Sequence, residues 1–164
     1  MTAAGRWILL LAALSLPLAG SAEITGEPAP DFVLRGVDGP NLRLSEYRGR
    51  VVLLGFWASW CGDCRAQIKA LVELNDRYAG AGFDLVTVSL DGDSRQAEQA
   101  IDSLDIDFPV LHDPDGHVGE TYGVEHMPYV ALIDRDGIVR AEFSGYRRGD
   151  ADKYVEQLKR LLAE

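Results

Sequence analysis

Cysteine is scarce in this sequence of 164 residues, which contains only Cys61 and Cys64. A disulfide that closes so short a loop constrains the unfolded chain little, so a structural staple explains the pair poorly. Zinc normally takes four ligands, and no second CxxC pair is present; His112 and His117 could complete a site, but their turn-like context favours the surface. The cysteine content therefore favours redox chemistry over a structural role.

Basic residues are also scarce, since Lys and Arg total 16 against 26 Asp and Glu, for a net charge of −10. Residues 1–22 contain one base, Arg6, and no acid, so the rest of the chain is one unit more negative. An acidic surface repels phosphate backbones and anionic lipids. The composition therefore argues against binding to nucleic acid or to a membrane surface.

Hydrophobic runs long enough to cross a bilayer are missing. The apolar run Trp7–Leu16 has about half of the ~20 residues required. It follows Arg6 and precedes small residues up to Ala22, the layout of a secretory signal peptide. We expect residues 1–22 to be cleaved and residues 23–164 to form a single domain that is periplasmic or otherwise exported. An uncleaved N-terminal anchor and a short buried helix are the alternatives; no cysteine is available there for acylation.

Strand and helix patterns alternate along the rest of the chain. Near-continuous apolar runs at Arg50–Trp57 and Phe83–Leu90 predict strands buried on both faces. Further strands are predicted near Phe32–Leu34, Leu42–Leu44 and Phe108–Leu111, with a hairpin at Tyr129–Ile133 and Ile138–Phe143; helices are predicted from Gly62 towards Gly80, and near Ser94–Leu104, His117–Tyr122 and Asp150–Leu162. The order predicts an α/β fold with a mixed sheet covered on both faces.

Cys61 and Cys64 lie where a predicted strand turns into a predicted helix. Free backbone N–H groups and the positive end of the helix dipole stabilise a thiolate at such a position. Cys64 lies one turn deeper, where it can resolve a mixed disulfide. The spacing therefore predicts Cys61 as the nucleophile and the thiols or disulfides of client proteins as its targets.

Three segments together resemble a known family: Trp57–Cys64 (WASWCGDC), Met127-Pro128 and the Asp134–Gly137 turn. They are similar to the thioredoxin-like TlpA/ResA/DsbE group of redoxins, and the similarity runs from about Gly26 to the C-terminus. The resemblance implies a thioredoxin fold with extra N-terminal strands and a helix–strand insertion. It also implies a monomeric thiol–disulfide oxidoreductase without a cofactor, reducing clients of the cytochrome c maturation or oxidase copper-site type. A membrane electron donor of the DsbD or CcdA kind would supply it.

The resemblance also assigns residues to a client-binding surface. It implies a cis Met127-Pro128 peptide bond against the disulfide, with the backbone of Met127 pairing with an extended client strand. Pro128 could instead simply mark the entry to a strand. Trp60 is expected to contribute to client docking and Trp57 to pack beneath the active-site loop, although both could be ordinary core or boundary aromatics.

This chain departs from its relatives near the cysteines. Gly62-Asp63 stands where thioredoxins have Gly-Pro, and Asp63 should disfavour a thiolate at Cys61 while Arg65 favours it. Gly55 matches a buried Asp of thioredoxins, and Gln67 matches a Glu that is frequent in ResA-like proteins. Because neither residue accepts a proton at neutral pH, the general base stays unassigned, and we expect a slower or differently tuned exchange step.

Two other functions fit parts of the pattern. A copper-binding or metal-delivery chaperone could use Cys61 and Cys64 with His126 or Met127, since thiolates and thioethers are soft ligands for Cu(I). A thiol peroxidase of the same fold would need a Pro before the reactive cysteine, and the sequence from Phe56 to Ser59 lacks one. Disulfide reduction is therefore the expected function, with copper delivery as the alternative.

Overall fold

The computed structural model describes residues 23–164, and the signal peptide expected at residues 1–22 lies outside them. This part of the chain forms seven strands: β1 (Val33–Gly36), β2 (Leu42–Arg43), β3 (Val51–Trp57), β4 (Phe83–Ser89), β5 (Val110–His112), β6 (Tyr129–Ile133) and β7 (Val139–Ser144). It also forms helices α1 (Gly62–Tyr78), α2 (Ser94–Leu104), α3 (His117–Thr121) and α4 (Asp150–Ala163), with a 3-10 helix at Leu44–Tyr47.

All seven strands join one mixed sheet in the order β2-β1-β5-β4-β3-β6-β7. The three central strands β5, β4 and β3 are parallel, whereas β6 runs antiparallel to β3, with Phe56 opposite Tyr129. The carboxyl ends of the parallel strands and the start of β6 therefore meet at one edge of the sheet. That edge holds the segments in which sequence analysis places the site.

Alternate residues of the strands point to opposite faces, and each face has its own core. In β3, Val51, Leu53 and Trp57 belong to a cluster with buried residues of α1, α2 and α4. Val52, Leu54 and Phe56 belong to the other cluster, with the N-terminal segment and Tyr122 at the end of α3. The apolar run in β3 thus reflects burial on both sides, as predicted.

The predicted order of elements is confirmed, with shifts of a few residues at some boundaries. The strand predicted near Phe108–Leu111 begins only at Val110, because Pro109 has no N–H to donate to a ladder. The turn position predicted for His112 is wrong: it ends β5 and is half-buried, and its Nε2 lies 2.7 Å from the backbone oxygen of Asp91. Within residues 23–164, no helix combines the length and the apolar character that crossing a bilayer requires.

Candidate active site

A disulfide joins Cys61 and Cys64 at the carboxyl edge of the parallel strands. The last residues of these strands are register partners, because Trp57 pairs with Ser89 and Ser89 with His112. The chain leaves β3 after Trp57 and enters α1 at Gly62, so Cys61 ends the connection and Cys64 lies in the first turn of the helix. This edge is where open α/β sheets bind their ligands.

Cys61 is the N-cap of α1, with an extended backbone at φ −82° and ψ 115°. Its sulfur accepts a hydrogen bond from the backbone N–H of Cys64, at 3.2 Å. The first N–H groups of a helix have no partner within the helix, and the dipole is positive at this end. The same N–H would stabilise a thiolate on Cys61 after reduction.

The two sulfur-bearing residues differ in exposure. Cys61 is half-buried, whereas Cys64 is only 1% exposed and belongs to the core under α1. Cys64 is one of the buried positions that recur along α1, together with Gln67 and Ile68. The arrangement therefore presents Cys61 to a client and keeps Cys64 beneath it.

Asp91 holds the segment that precedes Cys61. It follows β4, is fully buried, and both of its carboxylate oxygens accept from the backbone N–H of Ser59, at 3.1 and 3.0 Å. The Ser59 hydroxyl donates at 2.7 Å and the Ser89 hydroxyl at 2.8 Å. Three donors thus satisfy this carboxylate and fix the backbone two residues before Cys61.

Asp91 is not among the site residues predicted from the sequence, because Asp91-Gly92-Asp93 has the pattern of an acidic turn, and such turns are usually solvated. Asp93 does match that description, since it caps α2 by accepting from the N–H of Arg95 at 3.0 Å. Its position in the sequence could have identified it. Asp91 comes two residues after the end of β4, and the parallel neighbour of β4 is β3, the strand that leads to Cys61. A polar residue at that point faces the loop rather than water.

A neutral pair lies beneath Cys64 instead of a carboxylate. Gln67, one helical turn further along α1, is 1% exposed and donates from Nε2 to the hydroxyl of Tyr154 on α4, at 3.0 Å. Burial raises the pKa of Tyr154 to about 12, so the phenol is neutral at physiological pH. Gly55 supplies no side chain to this site, although a Cβ there would make only ordinary contacts, the nearest 3.4 Å from Thr87 Cγ2.

The two tryptophans of the motif have opposite environments. Trp57 is 1% exposed and packs in the core below the loop, as expected. Its indole Nε1 is buried and has no hydrogen-bond partner among the described residues. Trp60 is 67% exposed beside Cys61, and the only other large exposed hydrophobic residue between positions 23 and 164 is Val33. A flat apolar ring next to the disulfide is available for docking.

The Met127-Pro128 peptide bond is cis, which confirms the expectation from the resemblance. Because Phe56 pairs with Tyr129, this bond lies at the same sheet edge as the disulfide. The carbonyl of Pro128 accepts from Gly145, at 2.8 Å, and that of His126 accepts from the Ser144 hydroxyl, at 3.2 Å. Within the described chain, neither backbone polar group of Met127 has a partner, so both are available to an extended peptide.

The copper alternative would use Cys61 and Cys64 with His126 or Met127, and the two cysteines are joined as a disulfide in this structure. His126 is exposed at the start of the cis-proline segment. Across residues 23–164, no three His, Cys, Asp or Glu side chains come together as a group that could hold a metal ion. The geometry thus brings the two cysteines together with each other rather than with a third ligand of this kind.

Comparisons with known proteins agree with this site. A model of the redoxin family matches residues 24–158. The thiol-disulfide oxidoreductase ResA of Geobacillus thermodenitrificans is 31% identical over 159 residues, which cover 93% of this chain and 91% of that protein. ResA of Oceanobacillus iheyensis is 37% identical over 124 residues, but the match covers 73% of this chain and 65% of that protein.

The fold has solved counterparts as well. The crystal structure of a Chlorobium tepidum protein described as a thiol:disulfide interchange protein DsbE superposes with a TM-score of 0.81 and 37% identity, covering 84% of this chain and 97% of that one. The seven-stranded sheet with flanking helices is therefore a thioredoxin fold. The chain belongs to the redoxin family, as a thiol–disulfide oxidoreductase of the ResA and DsbE type.

Proposed function

We propose that this protein is exported and reduces disulfides in client proteins, with Cys61 as the attacking thiol and Cys64 as the resolving thiol. The difference in exposure carries the proposal: Cys61 is half-buried at the helix N-terminus, whereas Cys64 is 1% exposed. Only the first sulfur can meet a sulfur of another protein without rearrangement of the core. Trp60 and Met127-Pro128 form the docking surface around it.

The reaction has two exchange steps. The Cys61 thiolate attacks one client sulfur, the client disulfide breaks, and the other client sulfur leaves as a thiolate. Cys64 then attacks the sulfur of Cys61, which releases the second client sulfur and forms the Cys61–Cys64 disulfide. Two electrons pass to the client, and its two sulfurs take up two protons.

Cys64 must lose a proton before the second step. The side chain one turn below it is Gln67, an amide that cannot accept a proton at neutral pH, and Gly55 offers no side chain at all. The thiolate that the client releases in the first step is the proposed acceptor. The rate of the second step would then depend on the pKa of the client's thiol, because that thiolate must take the proton from Cys64.

Partners follow from the same proposal. A reductase in an oxidising compartment needs a continuous source of electrons, and a membrane donor of the DsbD or CcdA kind would supply it. The clients are proteins of the cytochrome c maturation or oxidase copper-site assembly type. The names of the ResA and DsbE relatives support this class of reaction and identify no client.

The test compares Cys61→Ser and Cys64→Ser with the wild type. With dithiothreitol as electron source and insulin as substrate, the wild type should precipitate insulin chains and both variants should lose turnover. After removal of dithiothreitol, reduced Cys64→Ser mixed with insulin should accumulate a mixed disulfide at Cys61, visible by mass spectrometry, because no second thiol resolves it. Accumulation in Cys61→Ser instead would reverse the assigned roles.

The reduction potential decides the direction of electron flow. A value near the roughly −270 mV of thioredoxin supports a reductase, whereas one near the roughly −120 mV of DsbA contradicts it. Tight Cu(I) binding that blocks thiol–disulfide exchange would contradict disulfide reduction and favour metal delivery as the function. The fluorescence of Trp60, next to Cys61, is a convenient readout of the redox state.

A further inference from the structure

An open polar groove lies beside the disulfide, between the first turn of α1 and one side of α2. Its volume is about 370 Å³, and its lining consists of Ser59, Arg65, Gln96, Gln99, Ala100 and Ser103. A narrow crevice of about 10 Å³ shares Ser59, Arg65 and Ala100 with it and also includes Cys61. The shared lining places the groove next to the reactive sulfur, on the side away from the cis-proline segment.

Arg65 supplies the charge of this groove. Its side chain is exposed and makes no hydrogen bond or ion pair with any described residue, whereas Arg50 and Arg140 both contact carboxylates. Asp63 lies two residues earlier in α1, and residues in an i,i+2 relation do not face each other on a helix. The guanidinium is therefore available to an acceptor from outside.

The opposite wall of the groove is neutral. Gln96, Gln99 and Ser103 lie on one stripe of α2, since spacings of three and four residues bring side chains to the same side of a helix. Neither acid of this helix, Glu98 or Asp102, is part of the lining, although Asp102 is three residues from Gln99 and borders it. Among the described residues, no carboxylate lines the groove and none pairs with the guanidinium of Arg65.

The indole N–H of Trp57 is a second unpaired donor, at the narrow crevice next to the groove. Trp57 lines the narrow crevice, and its buried indole Nε1 has no partner in the described part of the chain. A crevice of about 10 Å³ has room for about one water, so this buried donor lies too deep for a client side chain. In the groove itself, the guanidinium of Arg65 and the amides of Gln96 and Gln99 fit a ligand that carries carboxylate and carbonyl oxygens.

We propose that this groove binds the client polypeptide beside its disulfide, with an Asp or Glu carboxylate of the client on Arg65. The inference rests on the proposed function, because the client must already be positioned at Cys61. Gln96 and Gln99 can pair with either the N–H or the C=O groups of the client backbone, so they tolerate different sequences. Because the protein carries a net charge of −10, most of its surface repels a carboxylate. A client with an acid near its cysteine therefore binds more favourably in this groove, where Arg65 attracts that acid.

The experiment uses two synthetic disulfide peptides that differ only in a Glu or a Gln near the reactive cysteine. The ratio of their kcat/KM values is measured for the wild type, Arg65→Gln and Arg77→Gln. Arg77 is an exposed arginine in the last turn of the same helix, so its substitution matches the change in charge away from the groove. Any effect of Arg65 on the Cys61 thiolate acts on both peptides and cancels in the ratio.

The wild type and Arg77→Gln should prefer the Glu peptide by about fivefold, the upper range for an exposed ion pair, and salt should weaken the preference. Arg65→Gln should bring the ratio close to one. A ratio of one in the wild type, or an unchanged ratio in Arg65→Gln, would overturn the assignment. An Arg65-dependent preference for glutathione disulfide but not for the Glu peptide would also overturn it, in favour of a small-thiol site. Failure of every protein to reduce either peptide would instead remove the proposed function itself.

Discussion

Cys61 and Cys64 are only three residues apart, but the polar groups that hold the chain around them differ. On the Cys61 side, a fully buried carboxylate, Asp91, holds the loop through Ser59 and Ser89. On the Cys64 side, a neutral amide and phenol, Gln67 and Tyr154, pair inside the core. A carboxylate thus fixes the loop before Cys61, whereas the polar pair one turn beyond Cys64 is neutral.

Removing the charged support should have the largest effect. Asp91→Ala leaves the buried hydroxyl of Ser89 and the donors of Ser59 without an acceptor, and we expect a loss of about 3 kcal/mol in the free energy of unfolding. Urea denaturation of the oxidised protein measures it. Asp93→Ala is the matched control; it removes an exposed helix cap on the same turn and should cost about 1 kcal/mol. Equal losses in the two variants would show that Asp91 does not hold the loop.

Adding charge to the neutral side should have the next largest effect. In Gln67→Glu the buried carboxylate has a raised pKa, because burial disfavours its charged form. A group whose folded pKa is raised loses stability as the pH rises through that value. The loss begins at the unfolded pKa of about 4.3, so the variant should be close to the wild type near pH 4 and weaker by about 2 kcal/mol near pH 8.

Two further results test the Gln67→Glu variant. The exchange rate should gain a titrating step that the wild type lacks, because the new carboxyl can take the proton of Cys64. Gln157→Glu on α4 provides a half-exposed control with the same chemical change. Unchanged stability at both pH values, together with an unchanged pH–rate profile, would show that a charged group at position 67 costs nothing and does not act on Cys64.

Tyr154→Phe should have a smaller effect. It leaves the buried amide of Gln67 without its partner, at a cost of about 1–2 kcal/mol near pH 8. The phenol of the wild type has its pKa raised to about 12 by burial, so its contribution is fully present below about pH 10 and declines as the pH rises towards that value. The difference between the two proteins should shrink above pH 10 in denaturation curves. A constant difference from pH 8 to 11 would show that the pair does not titrate as described.

Trp60→Ala should have the smallest effect on stability, within about 0.5 kcal/mol, because the side chain is 67% exposed. Its effect should appear instead as a higher KM for protein clients with little change towards small disulfides. Val33→Ala, at an exposed position on β1, is the control and should leave KM unchanged. Equal KM values for Trp60→Ala and the wild type would remove this ring from the docking surface.

Sequence reasoning recovered most of the frame and the reactive pair. Apolar runs identified β3 and β4, and the change to helical spacing placed Cys61 and Cys64 at the start of α1. The family resemblance supplied the cis Met127-Pro128 bond, which no residue pattern establishes. These features depend on local sequence or on motifs, and both can be read without coordinates.

The supports of the two cysteines could not be read in the same way. Asp91 and Ser59 are 32 residues apart, and Gln67 and Tyr154 are 87 residues apart. An Asp in a Gly-containing turn is usually solvated, and a Tyr on an amphipathic helix is usually part of the apolar side. Only the packing of α4 against α1 and the parallel register of β3 with β4 reveal their partners.

The most direct test of the account is the rate of alkylation of each cysteine in the reduced protein, followed by mass spectrometry as a function of pH. Cys61 should react as a thiol with a pKa below the usual ~8.5, while Cys64 should react much more slowly at every pH below 8. Reaction of both cysteines at similar rates, or of Cys64 first, would contradict the division between an accessible attacking thiol and a sheltered resolving thiol.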